Sequence, residues 1–200
     1  MAIWDFLKRA PARDTEQGLE VWMDPSEFSQ VYAIIRTLRA KRVLEWGSGG
    51  STRTLLERCP FVESYTSIEH VPDWYEKVKR EVHDPRLSLH LVEPDSPLPA
   101  GVPWEEENAW RVRAESDPSI MQSYVAKPVQ LGVEADFVLV DGRARTFCLK
   151  TGWDLLRPGG ILVLHDAQRE EYQETVKSFP DYHFFEPWTQ GQVALMRKPD

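Results

Sequence analysis

Cysteine is almost missing: Cys59 and Cys148 are the only two in 200 residues. Their spacing suits neither a metal site nor a disulfide framework, so reduced thiols in a cytoplasmic protein are expected. No apolar run approaches the ~20 residues that cross a bilayer. The opening MAIWDFLKRAPARD also lacks the uninterrupted apolar core of a signal peptide. That opening is expected to pack Trp4 and Phe6 on the domain rather than to form an amphipathic helix for a membrane or a second subunit. No run of Lys or Arg appears, and 24 basic against 32 acidic residues leave a net charge of −8. A broad nucleic-acid footprint is thereby disfavoured. Internal repeats and low-complexity tracts are absent. What is present is 42% apolar and 11% aromatic residues, enough for a substantial core in a single domain over residues 1–200.

The apolar pattern alternates between short strands and amphipathic helices. DPSEFSQVYAIIRTLRA reads as a helix capped by Asp24, with Pro25 in its first turn and Glu27 completing a capping box. RVLEW, SYTSIEH, LSLHLVE, ADFVLVD and GILVLHD read as strands. STRTLLERC, PDWYEKVKREV, RTFCLKTGWDLL and REEYQETVKSF read as helices between or after them, and Pro158-Gly159-Gly160 as the turn before the fifth strand. Strand and helix in alternation predict a parallel, doubly wound α/β sheet with helices on both faces. YHFFEPW and QVALMRK are then joined by a link through Thr189-Gln190-Gly191 that is too short for a parallel crossover, so they predict an antiparallel hairpin. The alternation lapses over 94–133. Pro94, Pro97, Pro99 and Pro103 break any continuous element there, and an inserted lid or substrate segment with a small helix or two is expected, PSIMQSYVAK being one.

The first strand ends in an acid, Glu45, followed by the nearly bare Gly47-Ser48-Gly49-Gly50-Ser51-Thr52. Bare backbone at a strand-to-helix turn of a parallel sheet implies close approach by a ligand. A phosphate-cradling P-loop needs Lys and Ser/Thr after the last Gly, and neither stands there. A dinucleotide fingerprint needs Gly at 52, which is Thr, and has no use for an acid inside the strand. A dinucleotide-dependent oxidoreductase is thus the weaker alternative.

The E-x-G-x-G set of Glu45, Gly47 and Gly49, taken with the terminal hairpin, resembles the class I S-adenosylmethionine-dependent methyltransferases over roughly residues 40–197. LEWGSGGST resembles their first motif, SIEH their second strand, VLVDG their fourth, and LLRPGGILVLHD the turn and fifth strand. The resemblance implies a seven-stranded sheet in the order 3-2-1-4-5-7-6 with strand 7 antiparallel. It also implies S-adenosyl-L-methionine as cofactor, held by Glu45, Gly47, Ser48, Gly49, Ser51, Thr52, Glu69, His70 and Asp141. Glu69, 24 residues after Glu45, would take both ribose hydroxyls on its two oxygens, and His70 would lie near the adenine.

Asp141 and Asp166 would end the fourth and fifth strands facing the methyl group, with His165 beside them, and these three are the candidate catalytic residues. Two carboxylates there resemble the metal site of catechol-type O-methyltransferases. Those enzymes carry Asn immediately after the second Asp, where this chain has Ala167. A divalent metal is therefore an allowed but disfavoured cofactor, and no metal ligand is assigned. Arg143, Arg145 and Trp104 are candidate substrate-binding residues, the arginines for an anionic acceptor. The NPPY-type motif of many N-methyltransferases is replaced by VDGR, which favours a hydroxyl of a small molecule or sugar. Seven acids against two arginines over 93–117 disfavour a nucleic-acid partner at the lid. A non-catalytic adenosine-ligand-binding protein of the same fold is the further alternative.

Overall fold

The computed structural model describes residues 18–99, 101–186 and 191–200, so Trp4, Phe6, Thr189 and Gln190 lie outside the described residues. Helix α1 (Pro25–Leu38) starts as its sequence dictates: Asp24 accepts from the Ser26 amide at 2.9 Å, and Glu27 accepts from the Asp24 amide at 3.2 Å. There follow β1 (Arg42–Trp46), α2 (Gly50–Arg58), β2 (Ser64–Glu69), α3 (Pro72–Glu81) and β3 (Leu87–Leu91). After the insertion come β4 (Ala135–Val140), α6 (Arg145–Leu155), β5 (Leu156–Leu164), α7 (Glu170–Lys177), β6 (Tyr182–Phe184) and β7 (Ala194–Arg197). The sheet order is β3-β2-β1-β4-β5-β7-β6. All pairings are parallel except those of β7, which runs antiparallel to both β5 and β6, so the expected topology is the observed one.

Strand side chains alternate between two apolar layers, as the pleat requires. Val43, Tyr65, Phe137, Leu139 and Val163 pack with Val31 and Ile35 of α1 and Leu55 and Leu56 of α2. Leu44, Trp46, Ile68, Val138, Val140, Leu162 and Leu164 pack on the other face, with Cys148 and Leu149 of α6 and Tyr172 and Val176 of α7. Both cysteines are free and buried. Among the described residues, no helix is long and apolar enough to cross a membrane.

Register decides where the chemistry falls. Trp46 pairs with Ile68 on one side and Val140 on the other, and Val140 pairs with Leu164. The next residue along each strand is Gly47, Glu69, Asp141 and His165, so all four line one edge of the sheet.

Two sequence expectations need correction, those for Pro158-Gly159-Gly160 and for the length of the hairpin strands. Pro158-Gly159-Gly160 does not precede β5 but lies within it: Leu156 pairs with Ala135 and Ile161 with Phe137, and the extra residues form a bulge between these pairs. The insertion carries two helices, in keeping with the small helix or two expected there. Pro103 sits just ahead of α4 (Trp104–Arg113), where its missing amide costs nothing, and α5 (Gln122–Gln130) carries Pro128 near its C-terminal end. The hairpin strands are also shorter than their sequence runs, three and four residues in β6 and β7, with the Phe185 amide to Val193 carbonyl bond (2.9 Å) extending them.

Gly47 has φ +93°, and a Cβ built on it would lie 2.7 Å from the Gly142 amide nitrogen, so both backbone shape and close approach demand glycine. Gly49 is extended, and its Cβ would meet only the Trp74 ring, at 3.5 Å. Gly47→Ala is therefore expected to lower stability by roughly 2–4 kcal/mol. Gly49→Ala should cost no more than about 1 kcal/mol. Denaturant unfolding of both checks this, and equal losses would contradict the assignment.

Candidate functional site

Glu45 is completely buried, and among the described residues no cation pairs with it. Its oxygens accept from Ser51 Oγ (2.7 Å), Thr52 Oγ1 (2.5 Å) and Ser67 Oγ (2.9 Å), and the Gly49 amide donates to Thr52 Oγ1 at 2.9 Å. One carboxylate thus ties β1 to the first turn of α2 and to β2. Burial outweighs the three hydroxyls and pushes its pKa up to about 7. As pH rises from about 4.5 through about 7, the unfolded chain loses this proton first, so this group's ionisation destabilises the fold over that window. Ser51 and Thr52 are turned inward onto Glu45, not outward across the edge.

Glu69 closes the other side of the same turn. Its Oε2 accepts from the Ser48 amide (3.1 Å) and Ser48 Oγ (3.2 Å), and its Oε1 from the His70 and Val71 amides (2.7 and 2.8 Å). His70 Nδ1 lies 3.1 Å from Oε1, and its ring meets Tyr124 edge-on at 5.5 Å. Burial raises the Glu69 carboxyl, but these donors outweigh it and hold the group below the ordinary carboxylate range. No sequence signal marks Trp74, whose indole donates to the Ser48 carbonyl (2.6 Å), lies over Gly49 and meets the exposed Trp22 ring at 4.7 Å, tilted by 42°. The segment ahead of α1 closes the turn further, since a Cβ on Gly50 would lie 2.1 Å from the Glu20 carbonyl oxygen. Two clefts of ≈ 350 and ≈ 330 Å³ open at the opposite edge, around Leu87 and Arg42. We give them no role, because no converging catalytic groups line them.

Beyond β4 and β5 a charged cluster joins the strand ends. His165 Nδ1 lies 2.7 Å from Asp141 Oδ1, and its Nε2 lies 3.2 Å from Glu27 Oε2. Each ring nitrogen faces a carboxylate acceptor, so the geometry calls for the doubly protonated imidazolium. Burial lowers the His165 pKa, but the Asp141 and Glu27 carboxylates outweigh it and hold it up at about 10. Arg145 is buried and spends its donors inside the protein: Nε on the Gly142 carbonyl (2.9 Å), Nη1 on the His165 carbonyl (2.6 Å), and Nη2 on the Asp141 carbonyl (2.8 Å). Asp166, at φ +59°, accepts from Arg169 Nη2 at 2.6 Å and lies 3.6 Å from Arg145 Nη1. Burial raises the Asp166 carboxyl, but Arg145, His165 and Arg169 outweigh that and hold it at about 2. Asp141 and Asp166 keep 23% and 20% of their side-chain surface, so both remain within reach of a ligand. Glu27, His165 and Asp166 bring ligand-type atoms within 4.8 Å of one another, and Glu27 Oε1 is buried without a hydrogen-bond partner.

The structure therefore brings together the sequence-derived Glu45, Gly47, Ser48, Gly49, Ser51, Thr52, Glu69 and His70 around one turn. It gathers Asp141, His165, Asp166, Arg143 and Arg145 at the neighbouring strand ends. Trp104 starts α4, with Arg111 over its ring at 5.4 Å. Glu27 was legible only as a helix cap; that it also clamps His165, 138 residues away, left no trace in the sequence.

No protein-family model and no curated protein sequence matches the chain. Solved structures do. The chain is similar to a methyltransferase-like protein from Silicibacter pomeroyi (19% identity, 92% of this chain and 91% of that one, TM-score 0.58). It is also similar to a caffeoyl-CoA O-methyltransferase-like protein from Staphylococcus aureus (12% identity, 90% and 86%, TM-score 0.62). A third likeness is to the T. thermophilus 16S rRNA N2 G1207 methyltransferase in complex with AdoMet and guanosine (13% identity, 88% and 43%, TM-score 0.57). The chain has the Rossmann-like fold of the class I S-adenosylmethionine-dependent methyltransferases.

The clamped imidazolium has a pH signature. His165 has a folded pKa above its ordinary 6.5, so its stabilising contribution is complete below pH 6.5 and lost as pH rises through about 10. Imidazole ¹⁵N chemical shifts should show His165 still doubly protonated at pH 8. Titration near 6.5 would contradict the clamp.

Proposed function

We propose that this chain is an S-adenosylmethionine-dependent methyltransferase acting on a hydroxyl of a small molecule or sugar. The observation that carries the reading is the Glu69 carboxylate, hydrogen-bonded to the Ser48 amide of the glycine turn and set in register with Asp141 on the same sheet edge. Bound there, the cofactor would supply an electrophilic methyl on a sulfonium. The residues fit such a ligand: the turn offers side-chain-poor backbone at Gly47 to Gly49, acidic acceptors flank it, and no Lys or Arg stands at the turn as a phosphate would want. Glu69 would take the ribose hydroxyls by exchanging the Ser48 Oγ bond for them. Glu45, Ser51 and Thr52 would act indirectly, by fixing the turn. His70 would border the adenine.

At the acceptor side, the chain's contribution is alignment. An imidazolium held between two carboxylates is not available to take a proton at neutral pH, and a carboxyl held at about 2 is a weak base. His165 and Arg145 would therefore set Asp141 and Asp166, and the two acids would orient the acceptor hydroxyl. A divalent metal is not required on this reading. The carboxylates at this edge are already matched by Arg145, Arg169 and His165, which a cation would have to displace, and Ala167 brings no third oxygen. The segment 94–133, with α4 and α5, would be the lid over the acceptor. Its acidic face supports a small-molecule partner over nucleic acid.

Two measurements test the reading. Glu69→Ala should weaken S-adenosylhomocysteine binding by about 2–3 kcal/mol in calorimetry, with a native-like circular dichroism spectrum, since a charge-assisted acceptor pair is removed. Unchanged affinity would remove Glu69 from the site. Methyl transfer to a panel of hydroxylated acceptors should proceed equally with and without chelator, and complete loss on chelation would overturn the metal-independent account.

A further inference from the structure

The bare turn that invites a ligand is covered by the chain itself. Ser48, Gly49 and Gly50 are all buried. Gly50 lies under the strap that precedes α1, where the Glu20 carbonyl and the Val21 amide leave no room for a Cβ. That part of the cover is anchored. The Leu19 amide donates to Glu81 Oε2 of α3 at 2.9 Å, Leu19 is fully buried, and Met23 packs in the same apolar layer as α1. Gly49 is covered differently. The Trp74 ring lies 3.5 Å from the place its Cβ would take, and the Trp74 indole donates to the Ser48 carbonyl at 2.6 Å. Trp22, from the strap, meets the Trp74 ring at 4.7 Å and is itself 71% exposed.

These contacts are of a kind that a ligand can replace. A core Trp is fixed by dense apolar packing on all sides. Trp74 is only half-buried, and among the described residues neither it nor Trp22 packs in either apolar layer. Trp74 is held by one carbonyl acceptor, one exposed aromatic neighbour and the Lys77 cation, 5.1 Å from its ring centre. The Ser48 amide and hydroxyl are already on Glu69, so the Ser48 carbonyl and the face of Gly49 are what the turn has left to offer a bound molecule. Indole and ligand cannot share that surface.

We propose that Trp74 is a displaceable cover on the cofactor site, held shut by Trp22, and that it leaves Gly49 and the Ser48 carbonyl when the cofactor binds. The strap over Gly50 stays in place; the two indoles move. Apparent affinity is then the intrinsic affinity scaled by the fraction of molecules with the cover open. That the ligand is S-adenosylmethionine rests on the methyl-transfer reading; the cover rests on the contacts of Trp74 and Trp22.

The test is calorimetric titration of the full chain with S-adenosylhomocysteine, and in parallel with NAD, for the unaltered protein, Trp74→Ala and Trp22→Ala. Both substitutions should tighten the ligand that binds, Trp74→Ala by roughly fivefold or more and Trp22→Ala by roughly twofold or more. Trp22→Ala removes an exposed ring, so it carries the test if Trp74→Ala fails to fold. In ¹H–¹⁵N spectra the Trp74 indole signal, assigned by its absence from Trp74→Phe, should shift on saturation with the same ligand as the Ser48 bond breaks. Weaker binding by either alanine variant would make the indoles a wall of the pocket and overturn the cover. Affinities unchanged in both variants, or an indole signal that saturation leaves in place, would overturn it too, while S-adenosylhomocysteine binding itself would leave the methyl-transfer reading intact. NAD bound more tightly by the variants, with no S-adenosylhomocysteine binding, would sink the methyl-transfer reading and leave the cover standing. Binding of neither ligand, by the unaltered protein or by the variants, would overturn both.

Discussion

A single buried carboxylate is the constraint on which the rest of the edge depends. Among the described residues Glu45 has no cation partner, and the hydroxyls of Ser51, Thr52 and Ser67 offset the loss of water around it. Those hydroxyls come from the first turn of α2 and from β2. The Gly49 amide joins the network through Thr52, so the path of the glycine turn is fixed relative to two strands at once. Glu69 then repeats the device from β2, gripping the same turn through the Ser48 amide. Between them the acids hold bare backbone in a shape that is otherwise poorly determined, because glycine favours no single conformation. An acid at the end of a buried strand is thus explained by what it holds.

The neighbouring strand ends are organised by the opposite means. There the charges are many and paired. Arg145 crosses from the Asp141 carbonyl to the His165 carbonyl, and His165 spans Asp141 and Glu27. The result is a rigid pair of partly exposed carboxylates, of which Asp166 is held at about 2 by Arg145, His165 and Arg169. Such a pair is built to position a hydroxyl.

The fold was almost wholly legible because it rests on periodicity and link length: apolar strand runs, intervening helices, and a final connection too short to cross over. Glu45, Gly47 and Glu69 were legible too, since strand ends and turns are local in sequence. The errors share one cause, which is that tertiary context overrode local signals. Pro158-Gly159-Gly160 reads as a turn, yet the Leu156 and Ile161 pairings with β4 absorb it as a bulge. Contacts between distant segments left no sequence mark: Glu27 with His165, and Trp74 over Gly49.

The most direct test of the central claim is a crystal structure of the protein with S-adenosylhomocysteine. The account predicts the ligand along Gly47 to Gly49, its ribose hydroxyls on Glu69 in place of Ser48 Oγ, Trp74 moved off Gly49 or stacked against the ligand, and the sulfur turned toward Asp141. Ligand bound at the opposite edge near Leu87 or Arg42, or a Glu69 carboxylate that keeps all its present partners and makes no ribose contact, would contradict it.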